Sequence, residues 1–157
     1  MNKVIFLDID GVLNTTGDKN LLYDMIDELK LNYLISLSNN TNSSIIITSD
    51  RRVYEDERKD IDLIFSSRTK DYSYLSLKRT DRLRSDEIIR YLNNNKVDNF
   101  VILDDNDLGY SDNELLKNHF IDTSKNGFLI EEFEEAYKIL GGDRYEENYT
   151  SKELYKR

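Results

Sequence analysis

The sequence predicts an α/β fold, a central parallel sheet with helices on both faces. Three observations carry that prediction. The runs Val4-Ile5-Phe6-Leu7, Ile45-Ile46-Ile47 and Phe100-Val101-Ile102-Leu103 are continuously apolar and bounded by polar residues, the pattern of strands buried on both faces. Between them, apolar residues recur every three or four positions, the period of a helix buried along one side. Strand and helix signals alternate along the chain, as βα units require.

The first run breaks into Asp8-Ile9-Asp10-Gly11, where Gly11 gives the backbone the freedom to turn and to approach a ligand closely. Residues 14–20 are polar and read as a loop. From Leu21 to Leu37 the spacing is helical, with a slip between Leu29 and Leu31 that predicts two helical pieces. Asn39-Asn40-Thr41-Asn42-Ser43 reads as a loop, and 44–49 as a strand ending in Thr48 and Ser49. Residues 53–60 read as a charged helix, 61–65 as a third strand, and 66–80 as irregular chain near the strand ends. Ser85 is the expected N-cap of a helix carrying Ile88, Ile89 and Leu92 and ending at Asn93-Asn94-Asn95. A fourth strand is expected over 99–103, a helical turn over 113–117, and a fifth strand over 119–121. The last helix spans 129–140 and stops at Gly141-Gly142.

A chain of 157 residues suits one domain, in which roughly 68–70% of the unfolded surface becomes buried. Residues 1–142 are assigned to that domain and 143–157 to a charged tail, a loose helix or disordered. A net charge of -9 with 34% charged residues argues against a membrane protein and against a generally basic nucleic-acid binder. The absence of cysteine excludes a disulfide scaffold and a thiolate metal site, and fits a cytoplasmic location. Neither a signal peptide nor a membrane span is expected.

Two acidic pairs stand where apolar runs end: Asp8 with Asp10, and Asp104 with Asp105. Taken alone, the first is an ordinary Asx-type turn. Two strand ends crowded with carboxylates repel each other, however, unless a cation lies between them. A hard divalent ion such as Mg2+, bound by carboxylate, carbonyl and water oxygens, resolves the conflict. Ligands of open α/β sheets bind beyond the carboxyl ends of strands, which is where these acids fall.

With those residues in place, the chain resembles the haloacid dehalogenase (HAD) superfamily of phosphohydrolases over about residues 2 to 140. More narrowly, the segments from Phe6 to Asn14, Thr48 to Arg52, Arg84 to Ile88 and Ile102 to Asp105 resemble the HAD-like domain of multi-domain Swiss Army Knife RNA repair proteins. The resemblance implies a Rossmann-like HAD core. It also implies that Asp8 is the nucleophile and Asp10 the general acid and base, whose backbone carbonyl binds metal. Asp105 is then the direct metal ligand and Asp104 its outer companion. Thr48 falls where the family places a hydroxyl that donates to a phosphoryl oxygen, with Ser49 the alternative if the register slips by one. The family's phosphate-binding cation fits Arg84 best, with Lys78, Arg79 and Arg82 as rivals. Gly11, Ser49 and Arg52 are the further candidates for substrate contact. Asp107 reads as an exposed loop carboxylate, and His119 as a core or edge histidine.

The gaps 14–44 and 52–84 leave no room for a large cap domain, so the site is expected to be open and to suit a phosphate on a bulky molecule. Basic residues from Arg51 to Arg84, interleaved with Tyr72 and Tyr74, point to a nucleic-acid terminus as the phosphorylated partner. The chemistry expected is Mg2+-dependent phosphate-ester hydrolysis through an aspartyl-phosphate. The alternatives are a catalytically weak binding or regulatory module of the same fold, and a small-molecule nucleotidase or sugar phosphatase.

Overall fold

The computed structural model describes residues 2–141, so the expected tail lies outside the described residues. In chain order the elements are β1 (Lys3–Leu7), α1 (Glu28–Thr41), β2 (Ser43–Ile47), α2 (Glu55–Phe65), β3 (Tyr72–Tyr74), α3 (Arg84–Asn94), β4 (Asn99–Asp104), β5 (Phe120–Asp122) and α4 (Ile130–Leu140). Single 3-10 turns occupy Asp50–Val53 and Lys117–His119. The five strands are all parallel and lie in the order β3-β2-β1-β4-β5.

Alternation along each strand sends side chains to two separate cores. Ile5, Leu7, Ile45, Ile47, Val101 and Leu103 face a layer built from α1, α2 and α4 through Leu34, Ile64 and Phe133. Val4, Phe6, Ile46, Phe100 and Ile102 face the other way, where Ile88 of α3 covers them together with Tyr110 and Leu116. Register aligns Leu7 with both Ile47 and Leu103, so β1, β2 and β4 end level with one another. Asp8, Thr48 and Asp104 therefore emerge side by side.

Several boundaries differ from the sequence reading. The expected strand 61–65 is the end of α2: Ile61, Ile64 and Phe65 are buried on one stripe while Leu63 is 58% exposed. Each of those burials stabilises by about 1.5–3 kcal/mol, and only a helix gathers all three on one side. α1 runs on through the expected loop at 39–41. There Asn40 donates to the carbonyl of Ser36, Thr41 donates to that of Leu37, and left-handed Asn42 closes the helix. The first of the two expected helical pieces is not helical. Residues 21–27 form a tight turn, with Leu22 bridging Ile26 and positive φ at Tyr23 and Asp24. β3 lies within the segment expected to be irregular, and its Tyr72 and Tyr74 hydroxyls both donate to one oxygen of Asp62 on α2, each at 2.8 Å. Burial and that shared carboxylate push the Tyr72 hydroxyl pKa up to about 12. Ser85 is not the cap of α3, because the helix already begins at Arg84 and its N-cap is Leu83. Instead Ser85 packs against Gly109, where a Cβ would overlap its hydroxyl.

Candidate active site

β1 continues its ladder one step beyond its end, the Asp8 amide donating to Leu103 O at 3.0 Å, and then the chain turns. Ile9 O accepts from both Val12 and Leu13, and the turn is locked by Asn14, whose side chain accepts from the Gly11 amide and donates to Met25 O. Gly11 sits at φ +81, and a Cβ there would overlap the Asp105 carboxylate. That close approach explains the glycine. Its amide donates to Asn14, and Gly11, expected to contact substrate, is not among the residues that line the cleft.

Asp8, Asp104 and Asp105 converge, each offering a carboxylate oxygen within 4.8 Å of the others. Burial, with the charge of Asp104 next and Asp105 adding to it, raises the Asp8 pKa well above its ordinary value, against the opposing pull of Arg84. Burial and Asp104 also raise that of Asp105. Asp104 is fully buried and wrapped by donors: Arg84 Nη1 at 3.0 Å, the Tyr110 hydroxyl at 2.8 Å and the Asn106 amide at 3.1 Å. Asp105 is the more open of the pair, at the cleft wall. Three carboxylates confront one buried arginine, and the donor set is hard oxygen throughout. Both facts fit a small divalent cation.

Arg84, the first residue of α3, is the arginine that reaches them, with Nη1 3.3 Å from Asp8 and Nη2 3.4 Å from Asp50. Burial opposes its charge, but Asp8 and Asp104 outweigh burial and raise its pKa. The rivals Lys78, Arg79 and Arg82 are exposed, and Arg79 spends a donor on the carbonyl of Arg82.

The two hydroxyls after β2 differ. Thr48 is buried and its Oγ1 has no hydrogen-bond partner, whereas Ser49 lines the cleft and its Oγ accepts from the Arg51 amide. Arg52 does not reach the cleft. Its guanidinium is fully buried on Glu87 at 2.7 Å and on the carbonyls of Thr48 and Ser49, so it is a cation of the core and not a substrate contact. Asp10 turns its carboxylate away from the acid cluster onto Arg51, which donates from Nε and Nη2 at 2.9 Å each. Those bonds hold the Asp10 pKa below its ordinary value. As a metal ligand it has its backbone carbonyl to offer.

These groups share an open cleft of about 380 Å3, lined by Asp8, Asp10, Ser49, Asp50, Arg51, Tyr54, Glu57, Arg84 and Asp105. A larger hollow, about 600 Å3, opens at the amino ends of the strands, but its only acid is Asp71 and it brings no titratable cluster together. Tyr72 and Tyr74 do not line the acidic cleft. Asp107 is exposed and accepts from the Ser111 amide, and His119 stacks on Phe100 at 4.0 Å with Nδ1 on that residue's carbonyl. Sequence reasoning missed Tyr110, Asp50 and Tyr54. Each lies in a turn or loop where no periodicity singles out one polar residue, and only the folded contact reveals it.

The model of the family described as the HAD domain in Swiss Army Knife RNA repair proteins matches residues 4–132. This chain belongs to that family. The match spans all four motifs, from the strand before Asp8 to the first turn of α4, and the HAD domain is of phosphatase-like type with an acid cluster able to take a metal. No curated protein and no solved structure matches it. Among the described residues of this HAD domain, no helix is long and apolar enough to cross a membrane.

Proposed function

We propose that the protein is a Mg2+-dependent phosphomonoesterase that forms an aspartyl-phosphate on Asp8 and acts on phosphorylated nucleic-acid ends. One observation carries this reading: two acidic strand ends, far apart in sequence, meet within 4.8 Å while sharing one buried cation, Arg84.

Asp8, Asp105 and the carbonyl of Asp10 would hold the ion, with Asp104 behind them fixing Arg84. Bound there, Mg2+ supplies Lewis-acid charge compensation, offsetting the repulsion between the carboxylates and a phosphate dianion. Asp8 attacks phosphorus, and the ester oxygen leaves with a proton from Asp10. Water then attacks the aspartyl-phosphate and gives its proton to Asp10, restoring the Asp8 carboxylate. Arg84 balances the charge that builds on the phosphoryl oxygens. The Thr48 hydroxyl, buried without a partner, gains one in a phosphoryl oxygen. The open cleft and the family's RNA-repair description support a terminal phosphate on a nucleic acid.

The test is phosphate release, with and without Mg2+, from p-nitrophenyl phosphate and from end-phosphorylated oligonucleotides. Wild type is expected to turn over and Asp8→Asn is not, and acid quenching is expected to trap a phosphorylated wild-type chain. Equal, metal-independent turnover by both proteins refutes the reading.

A further inference from the structure

Asp10 presents both carboxylate oxygens to Arg51, whose Nε and Nη2 each donate at 2.9 Å, and Asn14 Nδ2 adds a third bond at 3.1 Å. That pair stands in the open cleft, where an anionic ligand can compete for the guanidinium. Asp10 is 56% and Arg51 25% exposed at the side chain, so solvent already screens the pair and a better-matched anion can displace the carboxylate. Arg51 also has a tether, since Nη1 lies 2.9 Å from Glu57 on α2. When the Nε and Nη2 edge leaves Asp10, that tether keeps the guanidinium in the cleft with a two-donor fork free.

Charge decides what the fork can take. Of the cleft's lining residues Arg84 and Arg51 are the cations, and Arg84 is buried among Asp8, Asp104 and Asp50. Among the lining side chains Arg51 is therefore the cation left for a second negative group of a substrate, the remaining charged ones being acids. A planar fork with parallel N–H bonds matches a phosphate or phosphodiester. Beside it Tyr54, 60% exposed, lines the same cleft and offers a ring face without a steric cover.

We infer that Arg51 exchanges Asp10 for a second anionic group of the substrate, so that the enzyme selects phosphate esters carrying another phosphate or a phosphodiester near the reacting one. The inference rests on the phosphatase reading and adds the substrate's second charge to it. The exchange moves no covalent bond: Arg51 trades one carboxylate for one anion. Arg51 is thus a specificity-determining residue.

The experiment compares kcat/KM with Mg2+ for p-nitrophenyl phosphate, a nucleoside 5′-monophosphate, a nucleoside 3′,5′-bisphosphate and a 5′-phosphorylated dinucleotide. Wild type, Arg51→Gln and Arg51→Lys are each assayed, with thermal melts to verify folding. Wild type is expected to favour the two-anion substrates by about 10-fold or more, the worth of a charge-assisted bidentate contact. In Arg51→Gln that preference collapses, because neither the charge nor the two-donor fork remains. Arg51→Lys keeps part of the preference, having the charge without the fork. Preference for the bisphosphate over the dinucleotide assigns the second anion to a free phosphate, and the reverse order assigns it to a chain diester. A wild-type ratio near one, or an Arg51→Gln ratio equal to that of wild type, overturns the exchange at Arg51 and leaves the phosphatase standing. Absence of turnover on every ester overturns the phosphatase reading instead.

Discussion

Two arginines are buried near the carboxyl edge of the sheet, and they live in opposite electrostatic circumstances. Arg52 meets Glu87 at 2.7 Å with both side chains sealed from solvent, one buried charge against one, and the exposed Asp50 lies 3.6 Å away. Arg84 meets Asp8 and Asp104 at 3.3 and 3.0 Å with Asp105 beside them, one charge against the cluster's three, and Asp50 adds a fourth at 3.4 Å. The first pair closes its own account of charge and ties the turn after β2 to α3, helped by the Thr80 amide on the same Glu87 oxygen. The second leaves a surplus of negative charge in a low-dielectric wall. Burial of charge alone does not mark a site, whereas uncompensated charge does, because it must be relieved by a proton or a cation from outside.

The largest test of that contrast is Asp8→Asn, which removes part of the surplus. Turnover is expected to fall by about 10^3-fold or more, while the metal-free variant melts above metal-free wild type, a pairing of effects read by steady-state kinetics and calorimetry. On the balanced side, Glu87→Gln or Arg52→Met strands one buried charge and is expected to cost about 3–5 kcal/mol in urea unfolding. Arg52 Nε and Glu87 Oε1 have no partners, so the pair is incompletely satisfied, and the double variant Arg52→Met/Glu87→Leu is expected to recover most of that loss. If the double variant is as unstable as the singles, the pair does more than balance charge.

Gly11→Ala sharpens the contrast from the backbone. A side chain at φ +81 that also overlaps Asp105 is expected to cost about 1–3 kcal/mol and to shrink the rise in Tm that Mg2+ produces. The pH dependence follows from the raised pKa values of Asp8 and Asp105. Between the ordinary value of 3.8 and their raised folded values, the native state binds more protons than the unfolded chain, so these groups make stability fall as pH rises. Metal-free protein is therefore expected to lose Tm through this window, and added Mg2+ to restore it more at neutral pH than in acid. A Mg2+ effect independent of pH would separate the metal from the acid cluster. Smallest is Tyr110→Phe, which leaves Asp104 two of its three donors and is expected to cost about 0.5–1.5 kcal/mol.

The fold's centre was legible because β1, β2 and β4 are uniformly apolar and buried on both faces, a pattern that needs no partner to be recognised. The convergence of Asp8 with Asp105 was legible for a related reason: like charges at two strand ends demand an explanation. What escaped was set by contacts across the fold. β3 is three residues with a serine at its centre and exists by pairing with β2, so nothing local announces it. Residues 61–65 carry the composition of a strand, and the exposure of Leu63 that makes them helical shows only in the folded chain. Arg52 is adjacent to Arg51 and of the same type. One is sealed against Glu87 and the other holds Asp10, a difference made by the 3-10 turn that points them to opposite sides of the wall.

The borders of the sheet have a consequence of their own. β3 and β5, the outermost strands, are three residues long, and β3 is further pinned to α2 by two tyrosines sharing Asp62. A growing stack of chains needs a long row of unsatisfied amides to template on, and neither margin supplies one. The protein thereby protects its Ile-rich interior from recruiting copies of itself, even though those central strands, laid bare, are of the kind that seeds fibrils.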